Sequence, residues 1–129
     1  MIIIVCGSRT FDNPAWLFRK LDRLTRKLDK RKLTIVTGAQ RSKAGKDHWY
    51  GADYWAERWA GNHGVHLVRY HAAWEKGKGA GMARNSEMVE QSGAAVLVAI
   101  WDGCSPGTAD AVAKARRKGL RVIIWYFEE

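Results

Sequence analysis

The segment most informative about the architecture is Ala95-Val96-Leu97-Val98-Ala99-Ile100-Trp101-Asp102-Gly103-Cys104-Ser105-Pro106-Gly107-Thr108. Its first six residues are all apolar, without the alternation of a half-exposed strand, which is typical of a strand buried on both faces of a parallel sheet. Turn residues follow, and from Thr108 onward the apolar residues recur with helical spacing, so we expect Thr108 to be a helix N-cap. Gly107 lets the backbone approach a ligand without an intervening Cβ. The segment is therefore either an anion site, built from free N–H groups and the positive end of a helix dipole, or an ordinary capped turn.

Length and composition limit the class of protein. A chain of 129 residues buries about two-thirds of its unfolded surface, so we expect a single domain over residues 1–129. The two cysteines, Cys6 and Cys104, have no metal-binding spacing, so we expect no disulfide, no metal, no cofactor and a reducing compartment. The sequence shows no signal peptide, and no apolar run approaches the about 20 residues of a membrane span. The expected location is the cytoplasm, without a membrane partner.

The net charge of +9 is concentrated in one part of the chain. Between Leu17 and Leu33 there are eight basic and two acidic residues. Leucines recur at i, i+4, i+7 and i+11 from Leu17 to Leu28, which predicts one amphipathic helix over residues 15–33 with the basic residues on its outer face. That face is either a solvated surface or a site for nucleic acid or another acidic partner.

The remaining patterns predict an α/β fold. We expect the other strands at residues 2–5, 33–37, 65–70 and 122–127, and helices that open near residues 12–14, 51–53, 82 and 108. Residues 40–48 combine basic residues and histidine without apolar periodicity, which predicts a mobile loop. Five strands that alternate with four helices indicate a five-stranded parallel sheet flanked by helices.

Glycines and polar residues directly follow four of the predicted strands, at Gly7-Ser8-Arg9, at Gly38, at residues 71–74 and at residues 101–108. Because the carboxyl ends of parallel strands lie on one edge of the sheet, we expect these residues in one crevice, where open α/β sheets bind ligands. With Arg84 and the helix start at residue 108 added, we favour an anion pocket over a chance grouping of polar loops.

Several short motifs occur in order along the chain: Gly7-Ser8-Arg9, Gly51-Ala52-Asp53 with Trp59-Ala60, Ala73-Trp74, Ala80-Gly81 with Arg84-Asn85 and Met88, and Trp101-Asp102-Gly103 with Gly107-Thr108. This set resembles the YspA-like group of the SLOG superfamily, which also contains the Lonely Guy phosphoribohydrolases and the DNA-processing protein DprA. The resemblance implies a Rossmann-like domain that binds a nucleotide or nucleotide-derived ligand, frequently as a homodimer. It also implies a role in nucleotide sensing or processing, often in phage or defence settings.

The ligand-binding residues that we predict are Gly7, Ser8, Arg9, Gly38, Asp53, Trp74, Arg84, Asn85, Trp101, Gly107 and Thr108. Arginine side chains and the glycine-rich helix start suit a phosphate, because both present several N–H donors. Asp53, Trp74, Trp101 and Asp102 would shape the sugar and base side, where an indole can stack on a base.

Two departures from the relatives bear on catalysis. Residues 40–50 are inserted after the second strand, and Ala111 stands where Lonely Guy enzymes have a glutamate, with Asp110 beside it. Cleavage of an N-glycosidic bond uses a carboxylate to stabilise an oxocarbenium-like state, so the candidate acids are Asp110 and Asp102. Arg84 matches the Lonely Guy arginine in position and is the third catalytic candidate, as the residue that holds the phosphate. Each acid also has a structural interpretation, Asp110 as a partner of the helix dipole and Asp102 in an Asx turn.

Three functions therefore remain open. The first is the binding of a nucleotide at the carboxyl edge of the sheet, without cleavage at an enzymatic rate. Slow cleavage is expected because Asp110 is one residue away from the position of the Lonely Guy glutamate, and one residue turns a helical side chain by about 100°. The second is a Lonely Guy-like hydrolysis of nucleoside monophosphates. The third is a DprA-like binding of nucleic acid through the basic helix 15–33 and residues 40–48.

Overall fold

A computed structural model describes residues 1–128 of the chain. The elements are β1 (Ile2–Gly7), α1 (Pro14–Thr25), β2 (Thr34–Thr37), β3 (Ser42–Ala44), β4 (His48–Tyr50), α2 (Ala52–Asn62), β5 (His66–Arg69), α3 (Ala80–Gln91), β6 (Val96–Trp101), α4 (Pro106–Lys118) and β7 (Arg121–Tyr126), with 3-10 turns at Lys30–Lys32 and Trp74–Lys76.

The main sheet has five parallel strands in the order β5-β2-β1-β6-β7, which confirms the predicted fold class. The chain first builds outward from β1 through β2 to β5, then crosses back to place β6 on the other side of β1. The strand order therefore reverses between β1 and β6, and it is at such a reversal that loops part and leave a crevice.

Two helical layers cover the sheet. Residues of α1 and α2 pack with Ile3, Val5 and Val98 on one face. Residues of α3 and α4 pack with Ile4 and Leu97 on the other face. The apolar run that forms β6 is buried on both faces, as its lack of alternation predicts.

The predicted helix over residues 15–33 is wrong at its C-terminal end, since α1 ends at Thr25. The Thr25 hydroxyl donates to the Leu21 carbonyl at 2.7 Å, and the Arg26 amide donates to Arg23, three residues back, so the last turn tightens. Asp29 then accepts from the Arg31 amide and caps the separate 3-10 turn at Lys30–Lys32. The chain thereby reverses into β2 instead of extending the helix.

Two local predictions are also corrected. The helix after β6 begins at Pro106 with Ser105 as the N-cap, so Thr108 lies inside the first turn, because proline is well tolerated at the first helical position. Residues 40–48 are not a loop throughout, since β3 and β4 form an antiparallel hairpin. Gly45, at φ +65°, permits its turn, and the Arg41 guanidinium lies 4.7 Å from the Trp49 ring centroid.

No helix within residues 1–128 is both long enough and apolar enough to span a membrane.

Candidate functional site

A cavity of about 410 Å³ lies at the carboxyl ends of β1 and β6, where the strand order reverses. The loop after β1, the turn after β2 and the N-terminal parts of α2, α3 and α4 form its walls. Nine predicted ligand residues line it: Gly7, Ser8, Arg9, Gly38, Asp53, Arg84, Asn85, Gly107 and Thr108. Residues far apart in the sequence thus share one cavity.

Arg84 of α3 is the more buried of the two arginines that line the cavity, with 9% of its surface exposed. Its Nη1 donates to the Gly38 carbonyl and its Nε donates to Asn85 Oδ1 at 2.9 Å. A Cβ at Gly38 would lie 2.6 Å from Nη1, so glycine at this position makes room for the guanidinium. Burial lowers the pKa of Arg84, whereas the charge of Asp53 raises it and that of Arg9 lowers it. Nη2 makes no hydrogen bond to the described residues and is available to an anion.

The first turn of α4 forms another part of the cavity wall, beside Asn85, whose side-chain amide donates to the Gly107 carbonyl at 3.2 Å. Ser105 occupies the N-cap position but makes no side-chain capping bond within the described chain. Its hydroxyl instead contacts the Ser8 hydroxyl at 2.9 Å and the Asp102 carboxylate at 3.0 Å. The amides of Gly107 and Thr108 therefore keep the open donor positions of a helix start, where anions bind.

Asp53, in the first turn of α2, is 5% exposed. Its Oδ2 accepts from the Gln40 amide at 3.0 Å, while Oδ1 has no hydrogen-bond partner within residues 1–128. Burial raises the pKa of Asp53 to about 7. The Gln40 amide, the charge of Arg84 and the Gly38 amide each lower the pKa, but by less than burial raises it. The Gly38 amide has this effect without forming a hydrogen bond of ordinary geometry. The folded protein thus keeps a proton that the unfolded chain loses, so this carboxyl costs stability progressively as the pH rises from about 4 to 7.

The side chains of Arg84 and Asp53 both bind the turn that follows β2. Arg84 bonds to the carbonyl of Gly38, and Asp53 bonds to the amide of Gln40. Ala39, in between, has a φ of +59°, a left-handed conformation that residues with a Cβ seldom adopt.

A comparison with protein-family models matches residues 1–77 to the YspA, cpYpsA-related SLOG family. The match covers more than half of the chain and includes Gly7-Ser8-Arg9, Gly38 and Asp53. The chain belongs to this SLOG family. Residues 78–129, with Arg84 and α4, lie beyond the matched range. No curated protein and no solved structure matches the chain.

Two predicted ligand residues of this SLOG protein do not line the cavity. Trp74 is 46% exposed and lies beside the Arg9 guanidinium, whose central carbon is 5.2 Å from the ring centroid. Trp101 donates its indole N–H to the Ser105 carbonyl at 3.1 Å and stacks on Tyr126 with 5.9 Å between ring centroids. Trp74 therefore remains available near the mouth of the cavity, whereas Trp101 fixes the loop after β6.

The two candidate catalytic acids of the SLOG protein are both engaged in structural contacts. Asp102 Oδ1 accepts the backbone amides of Cys104 and Ser105, both at 2.8 Å. Slight burial raises the pKa of Asp102, but these hydrogen bonds together lower it by more, so its pKa lies below the usual value. Asp110 Oδ2 accepts from Asn85 at 3.1 Å and from Lys114 at 2.8 Å. Asp110 does not belong to the cavity wall, which instead includes Ala111.

Seven further residues line the cavity that were not among the predicted ligand residues: Cys6, Thr10, Gln40, Met88, Ser105, Pro106 and Ala111. Ser105 and Pro106 fall within residues 101–108, which we expected in the crevice, and Gln40 lies two residues after Gly38, so the rule that selected Gly38 could have found it. Burial raises the pKa of the Cys6 thiol far above its usual range, which makes it unreactive. Within the described residues, His, Cys, Asp and Glu side chains form no group of three or more that suits a metal ion.

Proposed function

We propose that this SLOG protein binds a nucleotide or nucleotide-derived ligand by its phosphate in the cavity between β1 and β6. The observation that supports this most directly is the pairing of a buried guanidinium with an open helix start. Arg84 is held in place by Gly38 and Asn85, and the first turn of α4 lines the same cavity. The two N–H groups of Arg84 Nη2 can donate to a phosphate, and a helix N-terminus adds backbone donors and a favourable dipole.

The size and surroundings of the cavity suit the rest of a nucleotide. Its volume of about 410 Å³ lies within the range of small-molecule sites. Arg9 adds a second cation, and the exposed Trp74 next to it offers an aromatic surface on which a base can stack. A sensing or processing role in a phage or defence setting belongs to the same proposal.

Thermal unfolding with a panel of nucleoside mono- and diphosphates tests the proposal. A ligand that binds only the folded state raises Tm by mass action. At a concentration 100 times its Kd, it adds about 2.7 kcal/mol to the free energy of unfolding. We expect at least one nucleotide to raise Tm at millimolar concentration. An unchanged Tm across all four bases would contradict nucleotide binding.

The alternative of nucleic-acid binding uses the basic residues of 15–33 together with residues 40–48, of which only Gln40 lines the cavity. Lys30–Lys32 lies near the start of β1, since the Met1 ammonium donates to the Lys32 carbonyl, whereas the cavity lies at the end of β1. A ligand in the cavity therefore does not contact this basic turn. Affinity for many phosphates falls steeply with salt, and affinity for one pocket-bound nucleotide falls little, so a salt titration separates the two functions.

Replacing Gly107 by alanine is expected to have opposite effects on stability and on binding. A Cβ at Gly107 meets no atom within 4 Å, and alanine favours a helix over glycine by about 1 kcal/mol. The free protein should therefore become slightly more stable. The same methyl group would stand at the cavity wall, so nucleotide affinity should fall about 10-fold.

Gly61→Ala is the matched control for that substitution, because Gly61 lies in α2 away from the cavity and its Cβ also meets nothing within 4 Å. It should stabilise the protein without changing affinity. Equal affinities of the wild type and of Gly107→Ala would remove this helix start from the proposed phosphate site.

We propose binding without fast cleavage. Neither Asp102 nor Asp110 has a carboxylate free of structural contacts, so release of free base from nucleoside monophosphates should be far slower than the enzymatic median of about 10 per second. Chromatography of the released base measures this. Fast release by the wild type and by Asp102→Asn, but not by Asp110→Asn, would instead identify a hydrolase with Asp110 as its acid.

We also propose that the protein is a homodimer that pairs through β7. This strand is at the edge of the sheet and presents open backbone groups, and Tyr126 at its end is 62% exposed. Light scattering at tens of micromolar should give twice the 14.6 kDa chain mass. Tyr126→Glu should weaken the dimer, whereas Met82→Glu, at a 52% exposed position on α3, should not. A wild-type monomer would contradict this assembly.

A further inference from the structure

One buried acceptor of the protein is left without a donor. Among residues 1–128, Asp53 Oδ1 is the single buried side-chain nitrogen or oxygen that has no hydrogen-bond partner. Such an atom is costly to a folded protein, and natural proteins retain few of them. Asp53 lines the same cavity as Arg84, so a bound molecule can supply the missing donor.

The carboxyl group is also fixed in orientation. Its Oδ2 is occupied by the Gln40 amide at 3.0 Å, which leaves Oδ1 as the acceptor without a donor. The residue sits in the first turn of α2, whose packing against β1 and β2 is part of the core. A group held in this way is preorganised for a particular ligand atom, because little rotamer freedom is lost on binding.

We propose that Asp53 Oδ1 accepts a hydrogen bond from a hydroxyl of the ribose 2′,3′-diol, so that the site selects ribonucleotides with a free diol over their deoxy forms. The proposal rests on the proposed function, since it takes the phosphate to lie between Arg84 and the start of α4. The sugar is the part of a nucleotide attached to the phosphate. Asp53 lines the same cavity as Arg84, so the sugar of a nucleotide whose phosphate is bound by Arg84 is the part nearest to this carboxyl group.

Other ligands for Asp53 fit less well. A second phosphate would be repelled by the carboxylate. A metal ion would need further ligands, and the described residues hold no group of three acidic, histidine or cysteine side chains suited to one. A hydroxyl is uncharged and donates one bond, which is what Oδ1 lacks.

The charges around Asp53 predict how this preference varies with pH. Arg84 of α3 favours the ionised form, Glu57 of α2 disfavours it, and the Cys6 thiol of β1 lies close enough to interact. Burial raises the pKa of Asp53 to about 7. Since a ribose hydroxyl donates to the ionised form, the preference for ribose should grow as the pH rises from 6 to 8.

Calorimetric titration with the four ribonucleoside 5′-diphosphates and with their 2′-deoxy and 3′-deoxy counterparts tests this. At pH 8 the wild type should bind the best ribonucleotide about 10-fold more tightly than at least one deoxy form, and the ratio should shrink at pH 6. Asp53→Asn should keep an acceptor for Gln40 but place its NH₂ group at Oδ1, so the ratio should lose its pH dependence. Asp47→Asn, at an exposed position of the hairpin, is the matched control and should behave as the wild type.

The outcomes separate this proposal from the proposed function. Equal binding of the ribose and both deoxy forms at pH 8 would overturn the role of Asp53 and leave nucleotide binding intact. A ribose preference that grows as the pH falls, or one that Asp53→Asn retains with its pH dependence, would also overturn it. Failure of every nucleotide to bind would overturn both proposals.

Discussion

Replacing Arg84 by methionine should lower nucleotide affinity about 100-fold or more. The guanidinium is the only side chain of the described cavity that is both buried and permanently positive. Two hydrogen bonds from a charged donor to a phosphate contribute about 1.5 kcal/mol each or more, and 1.4 kcal/mol corresponds to a factor of ten in Kd. Methionine keeps an unbranched side chain but supplies no donor. Isothermal titration of the best nucleotide from the panel measures the loss.

The same substitution should also weaken the free protein, because the Gly38 carbonyl and Asn85 Oδ1 lose their donor. Arg84→Lys separates the loss of binding from the loss of stability, because lysine keeps the positive charge but lacks the planar guanidinium group. It should fold more stably than Arg84→Met and bind with intermediate affinity. Arg26→Met, at the exposed end of α1, should bind as the wild type. If folded Arg84→Met binds nucleotide with wild-type affinity, the phosphate lies elsewhere.

Replacing Gly7 by alanine should destabilise the fold by about 3 kcal/mol or more, equivalent to a fall in Tm of about 10 °C. A Cβ at Gly7 would lie 2.3 Å from the Ile100 carbonyl oxygen of β6 and 2.7 Å from the Ala52 Cβ of α2. Neither atom belongs to the end of a flexible side chain, so β1, β6 and α2 would have to separate. Thermal and urea unfolding of the free protein measure the effect.

Gly79→Ala is the matched control, because a Cβ at Gly79 meets no atom within 4 Å and its φ of −80° suits any residue. Its stability should differ from the wild type by less than about 0.5 kcal/mol. A Gly7→Ala protein that unfolds with the wild-type midpoint would show that β1 and β6 can move apart at little cost.

The sheet could be predicted because its strands are short apolar runs whose burial follows from composition alone. Ala95–Ile100 is the clearest case, and its strand is buried as the pattern requires. Element ends were less predictable. Pro106 is compatible with a turn or with a helix start, and the choice depends on Ser8 and Asp102, which bind the Ser105 hydroxyl from elsewhere in the fold. Thr25 ends α1 through a local bond that leucine periodicity does not reveal.

The candidate site was predictable to the extent that it depends on topology. Parallel strands place their carboxyl ends on one edge, and this rule collects the residues after β1, β2 and β6. Arg84, however, lies in a helix, so the strand rule does not select it. It was added as a further cation for the anion pocket, and the SLOG motif with Arg84-Asn85 also pointed to it. The roles of Asp102 and Asp110 depend on partners at Ser105, Asn85 and Lys114, whose proximity only the folded chain establishes.

The turn after β2 links the two helical layers of the molecule. Arg84 reaches it from the layer of α3, and Asp53 reaches it from the layer of α2 on the opposite face of the sheet. The two bonded residues, Gly38 and Gln40, are separated by Ala39, whose backbone has a left-handed conformation. The turn after β2 is thus a contact shared by both helical layers, and a ligand that touches Arg84 and Asp53 in the cavity would touch both layers at once.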